Sequence, residues 1–255
     1  MTKRIAALMV LLASLAGCAT SPTGRSQLIL ISDAELAQMG VQAFDQMRQE
    51  VPVSKDPKLR ERVRCVVEAI TAQVSAPYRW EVEVFDADEV NAFALPGGKI
   101  GVFKGLFKAA ENQHQLAAVI GHEVAHVMAR HAAARVSQQL VTQLGVSVVA
   151  AGTGVHPDLI GMGADLLLTL PYSRADESEA DILGLTYMAR AGFDPRESLA
   201  LWRNMAREAG PRPVEFLSTH PAPETRMREL ERHLPQALAL YEEARAAGRT
   251  PRCDS

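Results

Sequence analysis

The stretch Gly121-His122-Glu123-Val124-Ala125-His126 sets two histidines four residues apart, with a glutamate beside the first. Leu116, Val119, Ile120, Val127 and Met128 recur around it at helical spacing, and neither proline nor a Gly-Gly pair interrupts the chain from Glu111 to Arg135. The stretch therefore reads as part of one helix. Residues four apart share a helix face, so His122 and His126 can aim ring nitrogens at one ion, at ~2.0–2.1 Å if that ion is zinc. Glu123 stands where it can take a proton from a water activated by that ion. A catalytic zinc site usually has three protein ligands and one open position, so a third ligand must come from elsewhere. The glycine and histidine of the longer HExxHxxGxxH pattern are Ala129 and Ala132 here. His131 would lie about 140° from His126 round a continuous helix, too far to share the ion. The remaining source is a carboxylate on another helix. Ser173 to Asp181 opens such a helix, running to about Ala191, and Glu177 and Asp181 are four apart in it. Either could bind metal while the other accepts the ring N–H of a ligand histidine.

HExxH followed by ExxxD resembles the gluzincin metalloproteases that include the HtpX heat-shock protease, the CAAX prenyl endopeptidases and the mitochondrial Oma proteases. Within that family the chain looks most like the periplasmic BepA- and LoiP-type lipoprotein proteases, without the TPR array of the longer relatives, since no ~34-residue repeat occurs. The resemblance implies an α+β, mostly helical zincin-type fold with a small β-sheet beside the HExxH helix. It implies one zinc ion per chain, held by His122, His126 and Glu177, with Glu123 as catalytic base and Asp181 orienting a ligand histidine. Trp80, Val82 and Val84 alternate with Glu81 and Glu83 as a half-exposed strand, and Pro96-Gly97-Gly98 reads as a hairpin turn between Asn91–Leu95 and Lys99–Phe103. This hairpin, ending at Gly105-Leu106, resembles the family's NAF…PGG…GL stretch. Asn91, Ala92 and Phe93 are then implied as an edge strand that pairs with extended substrate. His220, in Ser218-Thr219-His220-Pro221, matches the family's His-Pro element, and Arg226 follows it. The match implies that Arg226 supports the metal site. It implies for His220 either a fourth, latching ligand or a donor to the tetrahedral intermediate.

Ser32, with Glu35 three residues on, reads as a capping box opening a helix to about Gln49, and a second helix is expected from Asp56 to Val74. The last helices are expected at about Pro223–His233 and Gln236–Ala247. The chain's ends carry other signals. Lys3 and Arg4 precede an apolar run from Ile5 to Leu12, too short for a membrane span, so residues 1–17 read as a leader. Leu15-Ala16-Gly17-Cys18 resembles a bacterial lipobox, which implies cleavage before Cys18 and its lipidation. Ala19 in the second mature position implies, on the same resemblance, an outer-membrane lipoprotein facing the periplasm. Residues 18–32 then form a tether, and 33–255 a single metalloprotease domain. With Cys18 acylated, Cys65 and Cys253 remain as an even pair in an oxidising compartment, and a disulfide is expected. The 255 residues, 47% hydrophobic, suffice for one full core. A net charge of −3, more negative still without Lys3 and Arg4, excludes a nucleic-acid partner recognised by basic charge. Residues 136–171 are apolar but broken by five glycines and Pro157. They are expected as two helices that cover the cleft or touch lipid.

The function expected is zinc-dependent hydrolysis of misfolded or misassembled envelope proteins. The competing class is a latent zinc-binding, chaperone-like lipoprotein whose metal is closed off by His220.

Overall fold

In the computed structural model, which describes residues 18–149, 167–168, 171–208, 215–220 and 224–254, side-chain caps fix where the first helices begin. Ser32 accepts the N–H of Glu35 while the Glu35 side chain takes that of Ser32, opening α1 (Asp33–Glu50). Asp56 accepts from the amides of Lys58 and Leu59 at the start of α2 (Pro57–Thr71). Each cap satisfies donors that the helix itself leaves without partners. Ahead of α1, β1 (Cys18–Thr20) and β2 (Ser26–Leu28) pair antiparallel. The segment expected as a tether is therefore a hairpin, and it is docked on the domain. Gln27 Nε2 donates to the carbonyl of Ala129 (3.0 Å) and the N–H of Leu30 to Ser137 Oγ (2.8 Å).

Three strands, β3 (Glu81–Phe85), β4 (Ala92–Leu95) and β5 (Lys99–Phe103), form a sheet of order β3-β5-β4. The β4–β5 hairpin turns at Gly97 and Gly98, whose φ of 83° and 78° suit glycine, and β3 lies parallel to β5. Among the described strands this order leaves β4 at an edge of the sheet, beside the helix α3 (Gln113–Met128), which starts at the Asn112 cap. Against α3 packs α5 (Arg174–Arg190). Gly121 and Gly184 meet where the two helices cross, and a Cβ on Gly184 would stand 2.7 Å from the His122 nitrogen. Only backbone fits there, and the closeness brings one face of α5 onto the two histidines.

A 3₁₀ turn at Lys104–Lys108 and the helices α4 (His131–Val149), α6 (Glu197–Glu208), α7 (Glu215–Thr219) and α8 (Glu224–Ala246) complete the described elements. One core cluster joins α2, the sheet, α3 and α5 through Val66, Ile70, Ile100, Leu116, Ile120 and Met188. A second lies under α1, where Phe44, Phe85, Phe93 and Phe103 pack ring against ring. Cys65 on α2 is bonded to Cys253 in the C-terminal tail, with Cα atoms 5.6 Å apart. Two expectations need correction. The run Glu111–Arg135 is not one helix, because the chain turns at Arg130 (φ 59°) and α4 begins afresh at His131. α8 continues through Pro235, where two helices had been expected. Most of the apolar segment 136–171 beyond Val149, like the leader 1–17, lies outside the described residues. No described helix is long and apolar enough to cross a membrane.

Candidate metal centre

His122 and His126 point their Nε2 atoms at each other across 3.0 Å. Glu177 reaches in from α5, its Oε1 3.3 Å from His126 Nε2 and its Oε2 3.5 Å from His122 Nε2. His220, just past α7, puts Nδ1 2.9 Å from Glu177 Oε1 and 3.3 Å from His122 Nε2. All four side chains are buried, and one donor atom from each lies within 4.8 Å of the others. Behind His122, Asp181 Oδ1 lies 3.0 Å from Nδ1. Arg226 grips Asp181 through Nε (2.6 Å) and Nη2 (2.8 Å), with its guanidinium 4.3 Å over the Trp202 ring. Its Nη1 also stands 2.6 Å from Glu177 Oε2, an ion-pair contact without hydrogen-bond alignment.

The proton positions show why a cation suits this cluster. Burial alone would raise the Asp181 pKa, but Arg226 and His122 hold it below the usual range, so Asp181 is an anion that only accepts. His122 therefore donates from Nδ1. Behind His126, Nδ1 lies 2.9 Å from His131 Nδ1, and His131 Nε2 lies 3.2 Å from Glu179 Oε2. Glu179 is likewise ionised: burial raises it, but hydrogen bonds including those from Thr23 and His131 bring it to about 2. His131 must then donate from Nε2 and accept at Nδ1, which makes His126 the Nδ1–H tautomer. Both Nε2 atoms are left with lone pairs facing each other beside a carboxylate. A divalent cation relieves that arrangement, and two imidazoles with a carboxylate are a donor set zinc prefers. Failing a metal, a proton takes its place. Burial lowers the His122 pKa, but Asp181 and Glu177 outweigh it and push the value up to about 9. His126 is driven well below its ordinary value by burial, and Glu177, despite burial, is held low by His220, His122 and His126.

Glu123 has its two oxygens in different settings. Oε2 accepts the N–H of Ala94 at 3.0 Å, which fixes the carboxylate against β4. Oε1 is buried without a hydrogen-bond partner, with His220 Nε2 3.3 Å away. Burial raises the pKa of this carboxyl, against the opposing pull of His220 and His122. A cleft of about 380 Å³ opens beside it, lined by Asn91 to Ala94, Arg135, Tyr172 and His220 among others. Asn91 Oδ1 accepts the N–H of Ala92 (2.9 Å), while the Phe93 ring lies over Gly101 and is largely buried.

The structure thus brings together His122, Glu123, His126, Glu177, Asp181, His220 and Arg226, with Asn91, Ala92 and Phe93 along the cleft. Cys18, in β1, and the Cys65–Cys253 bridge lie outside this cluster. Three residues at the centre were missed in the sequence. Tyr172 stacks on His126 with ring centroids 3.9 Å apart, and carries the Arg135 guanidinium 4.1 Å above its own ring. No periodicity marks a residue just ahead of a cap. His131 was set aside because a continuous helix would turn it away, and the turn at Arg130 removes that premise. Glu179 was passed over because the family motif maps to Glu177.

Residues 54–234 match the family model described as Peptidase family M48. The chain is 39% identical over 173 residues to the mitochondrial metalloendopeptidase OMA1 of Arabidopsis thaliana, covering 67% of this chain and 35% of that one. With the mitochondrial metalloendopeptidase OMA1 of Bos taurus it shares 31% over 242 residues, 86% of this chain and 46% of the relative. With the β-barrel assembly-enhancing protease of Escherichia coli it shares 29% over 219 residues, covering 80% and 45%. The chain spans half or less of the length of these relatives. The outer-membrane, periplasm-facing location implied by the leader is corrected by these matches. Relatives at 37–39% identity are named as mitochondrial, and bacterial ones are matched at 29%, so the leader does not place the chain in the envelope.

Proposed function

The chain belongs to peptidase family M48, and from that premise we propose that it is a zinc-dependent metalloendopeptidase cleaving unfolded or misassembled protein chains. The observation that carries this reading is the convergence of His122, His126 and Glu177 on one point, beside a glutamate that touches the edge strand β4. His122 Nε2, His126 Nε2 and a Glu177 oxygen would hold the ion. Zinc so held supplies a Lewis acid for the scissile carbonyl and an acidified water.

The other steps fall to the chain's own groups. Glu123 takes the attacking water's proton at Oε1 and delivers it to the leaving amine. Its Oε2, tied to the Ala94 amide, keeps that carboxylate aimed. Asp181, clamped by Arg226, fixes the His122 ring, and Tyr172 stacks behind His126. The edge formed by Asn91, Ala92 and Phe93 receives an extended segment by backbone pairing, with the segment displacing Asn91 Oδ1 from the Ala92 amide. That mode favours clients that have lost their fold. The E. coli relative, a β-barrel assembly-enhancing protease, supports misassembled clients. Residues 33–255 form the catalytic domain on this reading. The Leu-Ala-Gly-Cys box supports a lipid on Cys18, detectable as a mass increase that Cys18→Ala abolishes.

Chelation tests the proposal. The protein stripped of metal should lose cleavage of unfolded casein and regain it with one equivalent of zinc. Zinc-loaded protein that cleaves nothing would contradict it. One observation favours a second reading, a zinc-binding protein of little proteolysis. His220 contacts both Glu177 and Glu123, so four ligands could close the site. Loaded protein inactive in both wild type and His220→Ala would support that reading.

A further inference from the structure

The side of His126 away from the cluster is occupied by groups that the proposed chemistry does not use. α3 ends at Met128, and Arg130 is the one non-glycine of positive φ among the described residues. The turn is held from outside, since Gln27 binds the Ala129 carbonyl and Arg130 pairs with Asp33. It swings His131, which has no exposed surface, back against His126. Glu179, 3% exposed, takes the far nitrogen of His131. It also accepts the N–H (3.2 Å) and hydroxyl (2.6 Å) of Thr23 and the Nε of Arg25 (2.8 Å). Arg25 pairs in addition with Asp176. Thr23 and Arg25 belong to the turn between β1 and β2. An unbroken path of side chains thus leads from the N-terminal hairpin to a ring at the metal cluster. It parallels the Arg226–Asp181–His122 path on the other side.

A buried imidazole and carboxylate are costly unless every polar atom is satisfied, and here each is. Their protons have one consistent order. Glu179 accepts from His131, His131 accepts from His126, and His126 is left with a lone pair on Nε2.

Resting on the metal site proposed above, we propose that His131 and Glu179 are positioning residues that lock His126 as the Nδ1–H tautomer. Thr23 and Arg25 complete the relay, so docking of the N-terminal hairpin is coupled to metal affinity. Its loss weakens zinc binding without touching a ligand.

The test is zinc affinity by chelator competition on the purified chain, with the ligand-field spectrum of the cobalt(II) form as a second readout. His131→Leu cannot accept from His126, and should bind zinc about 10–100-fold more weakly with an altered cobalt spectrum. His131→Gln offers an accepting oxygen and a donating nitrogen, and should recover most of the affinity. Thr23→Val with Arg25→Ala, at the rim of the relay, should weaken zinc severalfold while the metal-free melting temperature stays close to wild type. A folded His131→Leu with wild-type affinity, or a Gln variant as weak as the Leu variant, overturns the proposal. If His131→Leu does not fold, unchanged affinity in the rim double variant overturns it. A wild-type chain that binds no zinc overturns the underlying metal site instead.

Discussion

At the scale of single residues, the site is governed by which ring nitrogen holds a proton. The His122 pKa rises from an ordinary 6.5 to about 9 in the metal-free fold. The stabilisation this provides is fully present below pH 6.5 and is lost as pH rises through about 9. Zinc needs the neutral ring, so at pH 7.5 its uptake should release close to one proton from His122, a release that fades above pH 9. Titration calorimetry in buffers of different ionisation enthalpy measures that proton, and a heat independent of buffer would refute the assignment. His220 makes the other residue-level prediction. Its contacts with Glu177 and Glu123 obstruct the resting site, so His220→Ala should keep its zinc and cleave unfolded substrate severalfold faster. Unchanged basal cleavage would remove the latch. The ligands on α3 were legible because four-residue spacing on an apolar helix admits one arrangement. Glu177 and Asp181 were legible as a pair for the same reason, and their order came only with the family resemblance. His131 was misread because its position depends on a turn that no residue type announces. Arginine in the left-handed region is uncommon, and here the held contacts of Gln27 and Asp33 impose it.

Among elements, the crossing of α3 and α5 decides whether the ligands meet. Gly184→Ala would set a methyl 2.7 Å from the His122 nitrogen and 2.8 Å from the Gly121 carbonyl carbon, contacts that backbone cannot yield cheaply. A stability loss of about 1–3 kcal/mol is expected from this overpacking. Zinc affinity should fall with it, because the helix carrying Glu177 is pushed off the one carrying His122. Denaturant titration and chelator competition check the two effects, and a variant unchanged in both would show that the helices need no such approach. The Ser32 cap and the glycine turn made α1 and the β4–β5 hairpin readable, since each rests on local hydrogen bonds or a local φ. The parallel pairing of β3 with β5 was not readable. It depends on contacts between residues far apart in the chain, as does the docking of the β1–β2 hairpin. Pro235 misled for the opposite reason: a local rule favoured two helices, and α8 continues through it, packed against α5.

For the whole molecule, one covalent bond ties the C-terminal tail to the second helix. The Cys65–Cys253 bridge spans 188 residues, so in the chain-entropy model it contributes up to ~5 kcal/mol by restricting the unfolded chain. Cys253→Ser should lower the melting temperature while leaving zinc content unchanged, as scanning calorimetry and metal analysis would record. Full stability without the bridge would contradict its structural role. The bridge lies away from the metal cluster, so it bears on survival of the fold and not on the chemistry.

One carboxylate, Glu123, which is not among the three ligands His122, His126 and Glu177, turns a bound ion into a peptidase. Wild type and Glu123→Gln should be compared for zinc content and for cleavage of unfolded casein, side by side. One zinc in each is expected, with cleavage in the variant reduced about 10²–10⁴-fold, the usual contribution of a general base. Equal cleavage by both, at equal zinc, would contradict that role of Glu123.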